Sequence, residues 1–232
     1  MVDESKFAEN FWLFGYGSLI WKPPPHFDKR VPGFIEGYVR RFWQASEDHR
    51  GTPNAPGRVV TLIDHNHWMT LSAHDLHKST TSTKVWGAAY HIPPQHVAEV
   101  REYLDIREIN GYSIQYTPFH PTDSSSPPIH CLVYIGLPDN PQFLGAQEPE
   151  ALANHILRSS GPSGANKEYL YMLETALDGL SMDSGDEHVS DLARRCRRLE
   201  GVDVDDTTET RKEVEEELMD PGMTDGKEET EK

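Results

Sequence analysis

The sequence predicts an α+β fold, in which helices pack outside a mixed, barrel-like sheet. Apolar segments of strand length dominate the first 135 of the 232 residues, and helical periodicity dominates from 150 to 200. A single helical segment interrupts the strands, so the elements are largely segregated rather than alternating.

The elements follow in order. Asn10 to Ile20 is apolar and aromatic, as a buried strand would be, and Gly15-Tyr16-Gly17-Ser18 breaks it with a turn. Gly33 to Gln44 alternates with period two: Phe34, Glu36, Tyr38, Arg40 and Phe42 share one face, and Ile35, Val39, Arg41 and Trp43 the other. Further strands are expected at Arg58–Ile63, Val85–Ile92, Gly111–Phe119 and Ile129–Ile135, six in all. Gln95 to Glu108 follows Pro93-Pro94 as a helix, with Val97, Val100, Tyr103 and Leu104 on one face. Asn110-Gly111 ends it. Glu150–Ser159 is a second helix. A third begins after Gly161-Pro162-Ser163-Gly164, with Asn166 as its expected N-cap and Tyr169, Leu170, Leu173, Leu177 and Leu180 as its apolar face. A fourth carries Val189, Leu192, Cys196 and Leu199. Asp64–Lys84, poor in apolar residues and rich in Ser, Thr and His, reads as a long surface insertion, and Pro121–Pro128 as a second loop.

The formal net charge is −16, unevenly spread. Val202 to Lys232 holds 13 acidic and 4 basic residues and no aromatic, so it is expected to be a disordered acidic tail. Residues 1–10 are expected to be an N-terminal extension, leaving one domain at 11–201 that carries the insertion at 64–84. Within this domain Lys22 to Arg58 is locally basic, with seven Lys/Arg against four acidic residues. Overall acidity argues against nucleic acid as a partner. No apolar run is long enough to span a bilayer, and the acidic start of the chain lacks a signal-peptide pattern. With two cysteines, Cys131 and Cys196, no disulfide framework is expected. The expected location is the cytoplasm, with the nucleus left open.

Three motifs bear on chemistry. Gly15-Tyr16-Gly17-Ser18-Leu19 fits neither a Walker A nor a Rossmann spacing, and Ser18 lacks the flanking glycines of a nucleophile elbow. What remains is a glycine turn, either structural or able to cradle a carboxylate with backbone N–H groups. His65, His67, His74 and His77 have no accompanying cysteine and no acidic partner expected to be ordered, so no metal is expected. Glu108 sits at the C-terminal end of its helix, where the dipole disfavours a carboxylate; the placement is either chance or a device that raises its pKa for acid–base use.

Taken together, these segments resemble the ChaC family of glutathione-specific γ-glutamylcyclotransferases. The resemblance runs through Phe14-Gly-Tyr-Gly-Ser-Leu-Ile-Trp21, Arg40-Arg-Phe-Trp-Gln44, Asp48-His-Arg-Gly51, Pro56-Gly-Arg-Val-Val-Thr-Leu62 and Val85-Trp-Gly-Ala-Ala-Tyr90. It continues through Tyr103-Leu-Asp-Ile-Arg-Glu108 and Gly161-Pro-Ser-Gly164 with Asn166, Glu168, Tyr169 and Leu170. It covers residues 11–200 and implies a cyclotransferase-like small mixed β-barrel flanked by helices. It also implies a cofactor-free enzyme that converts glutathione into 5-oxoproline and cysteinylglycine. By position, Glu108 matches the family's catalytic glutamate, Tyr16-Gly17-Ser18-Leu19 its substrate loop, and Tyr169 a tyrosine near the site. Arg50 and Arg58 are candidate contacts for the glycine carboxylate, or else structural ion pairs. The chain departs from the family in its long 64–84 segment, its acidic tail, and Ala165, where many relatives have Arg. The alternatives are a cyclotransferase for other γ-glutamyl amines, and a binding module that keeps the fold without catalysis.

Overall fold

The computed structural model describes residues 10–107, 112–136 and 140–201. Five strands form a closed barrel: β1 (Phe11–Gly15), β2 (Lys29–Glu36), β5 (Lys84–Ile92), β6 (Tyr112–Pro121) and β7 (Ile129–Gly136), in the order β1-β5-β2-β6-β7. All neighbours are antiparallel except β1 and β7, whose parallel pairing at Leu13 and Leu132 closes the barrel. The sheet is therefore mixed, as the sequence suggested. β3 (Tyr38–Ser46) and β4 (Gly57–Asp64) form a separate antiparallel pair.

The single strand expected at Gly33–Gln44 is thus two. Gly37, at φ 87°, takes a left-handed conformation that side-chain-bearing residues avoid, and the chain leaves the barrel there. The period-two reading holds on β3 but not across this break, since Ile35, expected on the face of Val39 and Trp43, is buried in the main core with Phe42. On β3, Phe42 faces the main core while Val39 and Trp43 join a second cluster with Ile63 and Trp68. A bulge at Phe42 and Trp43, between the Arg41–Thr61 and Gln44–Val59 pairs, locally re-aims this strand. The free edge of β3 is covered by the segment at 140–147: Ala45 N–H donates to the Gln142 carbonyl, and Leu144 N–H to that of Trp43.

Among the described residues, five α-helices lie around the strands: α1 (His65–Leu71), α2 (Val97–Arg107), α3 (Pro149–Arg158), α4 (Asn166–Asp178) and α5 (Glu187–Glu200). The expected apolar faces of α2, α4 and α5 are buried, apart from Tyr103 of α2, which is half-buried, and Leu199, which is exposed at the end of α5. The strand and turn expected from Asn10 to Ile20 appear as β1, then a 3₁₀ turn at Ser18–Ile20. Two short strands, β8 (Ser160–Gly161) and β9 (Gly164–Ala165), were not foreseen.

The 64–84 segment is largely exposed, as expected of a surface insertion, but it is not an irregular loop. It contains α1 and two 3₁₀ turns, and Asp64 caps α1 by accepting from Asn66 and His67 N–H. Trp68, Asp75 and His77 are buried. Polar bonds hold the segment in place: Asp75 accepts from Arg41 Nε at 2.7 Å and from Trp68 Nε1 at 2.8 Å. His77 Nε2 meets Asp191 of α5 at 2.9 Å.

Candidate active site

At the C-terminal end of β1 a cleft of about 1020 Å³ opens between the barrel, the β3–β4 pair and α4. The turn following β1 forms one wall, with Tyr16, Gly17, Ser18 and Leu19 all lining it. A 3₁₀ helix starts at Ser18, and its first return bond runs from Ile20 N–H to the Gly17 carbonyl at 2.9 Å. The N–H groups of Gly17 and Leu19 therefore flank the start of that turn, ahead of its first return bond. Such a run of amides is a geometry that anions accept.

Tyr169, in the first full turn of α4, forms the opposite wall. Its ring is held edge-on by Trp21 at 5.3 Å and Phe42 at 5.9 Å. A Cβ on residue 17 would lie 2.9 Å from the Tyr169 hydroxyl, so the close approach of the two walls requires glycine.

Arg50 closes the cleft from the turn after β3. Its guanidinium donates to the Ala165 carbonyl at 2.9 Å, pairs with Glu168 at 3.1 Å, and lies 6.0 Å from the centre of the Tyr169 ring. A guanidinium thus stands at the glycine loop even though Ala165 supplies none. Two loops meet here: Ser163 N–H donates to the His49 carbonyl, and the His49 ring lies 3.2 Å from Ser163 Oγ. Gly51, Gly57 and Gly161 allow this contact, because a Cβ on any of them would strike backbone at 2.3 Å or less.

Arg58 is not among the cleft residues. It donates to Gln147 Oε1 at 3.1 Å and to the carbonyls of Pro56 and Gly57, and burial lowers its pKa. These partners are neutral groups rather than the carboxylates that a structural ion pair would need. Asn166 is not an N-cap either. Ala165 holds that position, and the buried Asn166 amide pairs with the Arg58 backbone instead, accepting at 2.6 Å and donating at 2.7 Å. Glu108 lies outside the described residues, as does the Asn110-Gly111 stop; α2 is described to Arg107.

Sequence reasoning did not single out Lys22, Asp48, His49, Gln142 and Ser163, which also line the cleft. Asp48-His49-Arg50 and Ser163 fall within motifs quoted above, but nothing in their spacing showed that the two loops meet. The lining carries both signs of charge, with Lys22 and Arg50 against Asp48.

The family model for ChaC-like protein matches residues 11–199, which contain every wall of this cleft. The chain belongs to the ChaC family. It is 44% identical over 191 residues to the glutathione-specific γ-glutamylcyclotransferase of Schizosaccharomyces pombe, covering 82% of this chain and 93% of that one. The human glutathione-specific γ-glutamylcyclotransferase 1 is 38% identical, over 77% of this chain and 75% of its own. γ-Glutamylcyclotransferase 2-3 of Arabidopsis thaliana is 39% identical, over 88% and 98%. A crystal structure of the glutathione-specific enzyme from yeast superposes with a TM-score of 0.74 at 36% identity, covering 82% of this chain and 96% of that one. This ChaC chain therefore has a γ-glutamylcyclotransferase fold. Among its described residues, no helix is long and apolar enough to cross a membrane.

Proposed function

We propose that this ChaC chain degrades glutathione by cyclising its γ-glutamyl group, releasing 5-oxoproline and cysteinylglycine. The observation that carries the proposal is the cleft itself. It joins an amide-lined turn, a buried arginine and a clamped tyrosine, in a chain 44% identical to a protein named for that reaction. Its charge pattern suits the substrate. A γ-glutamyl head carries a carboxylate beside an ammonium, and the cleft offers Lys22, Arg50 and backbone amides against Asp48.

The chemistry needs one proton carrier. The substrate α-amine is mostly protonated near pH 7 and becomes a nucleophile only after losing a proton. In the proposed mechanism the Glu108 carboxylate takes that proton, and the amine nitrogen attacks the γ-amide carbonyl carbon. The tetrahedral intermediate collapses as its bond to the cysteinyl nitrogen breaks. Glu108 returns the proton to that leaving nitrogen, then takes the second proton shed by the ring nitrogen and passes it to the released amine, so the protons balance and no water is consumed. The turn at Tyr16–Leu19 holds the α-carboxylate through its amides, and Arg50 holds the distal carboxylate. Confinement by Tyr169 folds the substrate so that amine and carbonyl meet, which lowers the entropic part of the barrier. The reaction as written takes up no electrons and needs no cofactor. We place it in the cytoplasm, without nucleic-acid or membrane partners.

The test is release of 5-oxoproline by the purified chain from glutathione, glutathione disulfide and a panel of γ-glutamyl dipeptides. Glutathione should be the preferred substrate, and Glu108→Gln should fold normally but lose about 10²–10⁴ in turnover. Equal rates across the panel would point to a general γ-glutamyl amine cyclotransferase. Near-normal turnover by Glu108→Gln would refute the mechanism.

A further inference from the structure

We propose that His26, His96 and Glu99 form a binding site for a zinc-class divalent transition metal, outside the cleft lining. Among the described residues they are the one group of three such side chains whose candidate donor atoms all lie within 4.8 Å of one another. None of the three lines the cleft.

The spacing fits coordination. Metal–ligand bonds of about 2.0–2.1 Å in tetrahedral geometry place neighbouring donor atoms roughly 3.3 Å apart. His26 Nε2 lies 3.0 Å from Glu99 Oε1, and His96 Nδ1 lies 3.6 Å from Glu99 Oε2. The two imidazoles are stacked, with centroids 4.1 Å apart and planes 6° from parallel, so both present a nitrogen to the same carboxylate. Two imidazoles and one carboxylate are a donor set suited to zinc, nickel or copper rather than to magnesium or calcium. All three residues reach solvent, which leaves a fourth position for water.

The backbone gives a second, independent indication. His26 is the one residue other than glycine with positive φ among those described, at 60°. A side-chain-bearing residue takes that conformation at a cost, so the position of its ring is bound up with the turn. His26 belongs to the stretch joining the cleft turn to β2, while His96 and Glu99 open α2. A metal here would tie the chain leaving the cleft turn to the helix that runs toward Glu108. The site is distinct from the four histidines of the 64–84 segment. It escapes spacing rules because His26 and Glu99 are 73 residues apart.

The experiment is calorimetric titration of the chelator-treated full chain with zinc chloride, with cobalt chloride as a spectroscopic probe. One saturable site of micromolar affinity is expected, together with a cobalt spectrum of low-coordinate type and a rise of a few degrees in Tm with added zinc. His26→Gly, His96→Ala and Glu99→Gln should each weaken binding at least about tenfold; glycine suits the left-handed backbone, so the first variant keeps the fold. Magnesium at the same concentration should not compete. Absence of saturable zinc binding up to about 100 μM, or full affinity in any one of the three variants, overturns the proposal.

Discussion

An alanine at position 17 would bring its Cβ within 2.9 Å of the Tyr169 hydroxyl and 3.1 Å of Val60 Cγ2. Tyr169 cannot simply yield, because Trp21 and Phe42 grip its ring. The two walls of the cleft must then move apart by a fraction of an ångström to an ångström. Displacements of that size cost up to about 10²-fold in rate when they misalign reacting groups. Gly17→Ala should therefore lower kcat/KM for glutathione about 10- to 100-fold with only a modest loss of Tm, and Tyr169→Phe in the same chain should restore part of it. Unchanged kcat/KM in Gly17→Ala would show that the wall spacing is immaterial. The arginines make a matched pair. Arg50→Lys keeps the charge but loses the planar guanidinium, whose Nη1 donates to both Ala165 and Glu168 and whose face lies toward the Tyr169 ring, and should raise KM about tenfold. Arg58→Lys should leave KM unchanged and lower Tm instead, since its partners are Gln147 and two carbonyls. A KM effect at Arg58 would reopen its candidacy as a substrate contact.

At the level of elements, the 64–84 segment is joined to α5 by two histidines whose protonation can be worked out. Phe42 N–H donates to His188 Nε2 at 3.1 Å, so that nitrogen carries the lone pair and the proton is on Nδ1. His188 Nδ1 lies 3.1 Å from His77 Nδ1, which must accept; His77 then carries its proton on Nε2, toward Asp191. His188 is neutral in this arrangement. Burial holds His188 well below the ordinary imidazole pKa, and Arg41, His77 and Arg40 reinforce the effect. Asp75 and Asp191 are the carboxylates facing His77, and Asp186 pairs with Arg40. Because the folded pKa is depressed, the stability tied to His188 is complete above the unfolded value of about 6.5. It is lost as pH falls from there toward the folded value, by at most about 1.4 kcal/mol per pH unit. Denaturant unfolding between pH 7.5 and 5.5 should show this slope, and His188→Gln should flatten it even if the variant is less stable throughout. An equal slope in both proteins would remove His188 as its source. This element also marks where the sequence stops being legible. Barrel strands and helix faces were readable because Val100, Leu104, Leu170 and Leu173 repeat at helical spacing and the strands are continuously apolar. The order of the 64–84 segment was missed because polar groups anchor it, with Trp68 as its one fully buried aromatic, and composition does not show that Asp75 and His77 find buried partners. The cleft was half legible for the same reason. Tyr16–Leu19 stood out by glycine spacing, whereas the meeting of His49 with Ser163 depends on a contact between residues 114 apart.

For the whole molecule, the net charge of −16 poses a problem for an enzyme with an anionic substrate, and its distribution resolves it. Residues 202–232 contribute −9 of it, while Lys22 to Arg58, which supplies two walls of the cleft, is locally net positive. Charges in water act over a Debye length of about 8 Å at physiological ionic strength, so Lys22 and Arg50 govern what the substrate meets on entry. Truncation after Gly201 should therefore leave kcat/KM for glutathione within about twofold at 150 mM salt. At 10 mM salt, where the Debye length reaches about 30 Å, removing the acidic segment should raise kcat/KM by lessening repulsion. Steady-state kinetics of both chains at the two ionic strengths decides the matter. A large loss of activity on truncation at either salt concentration would mean that residues 202–232 act on the site directly, and that the acidity of this chain belongs to its catalysis after all.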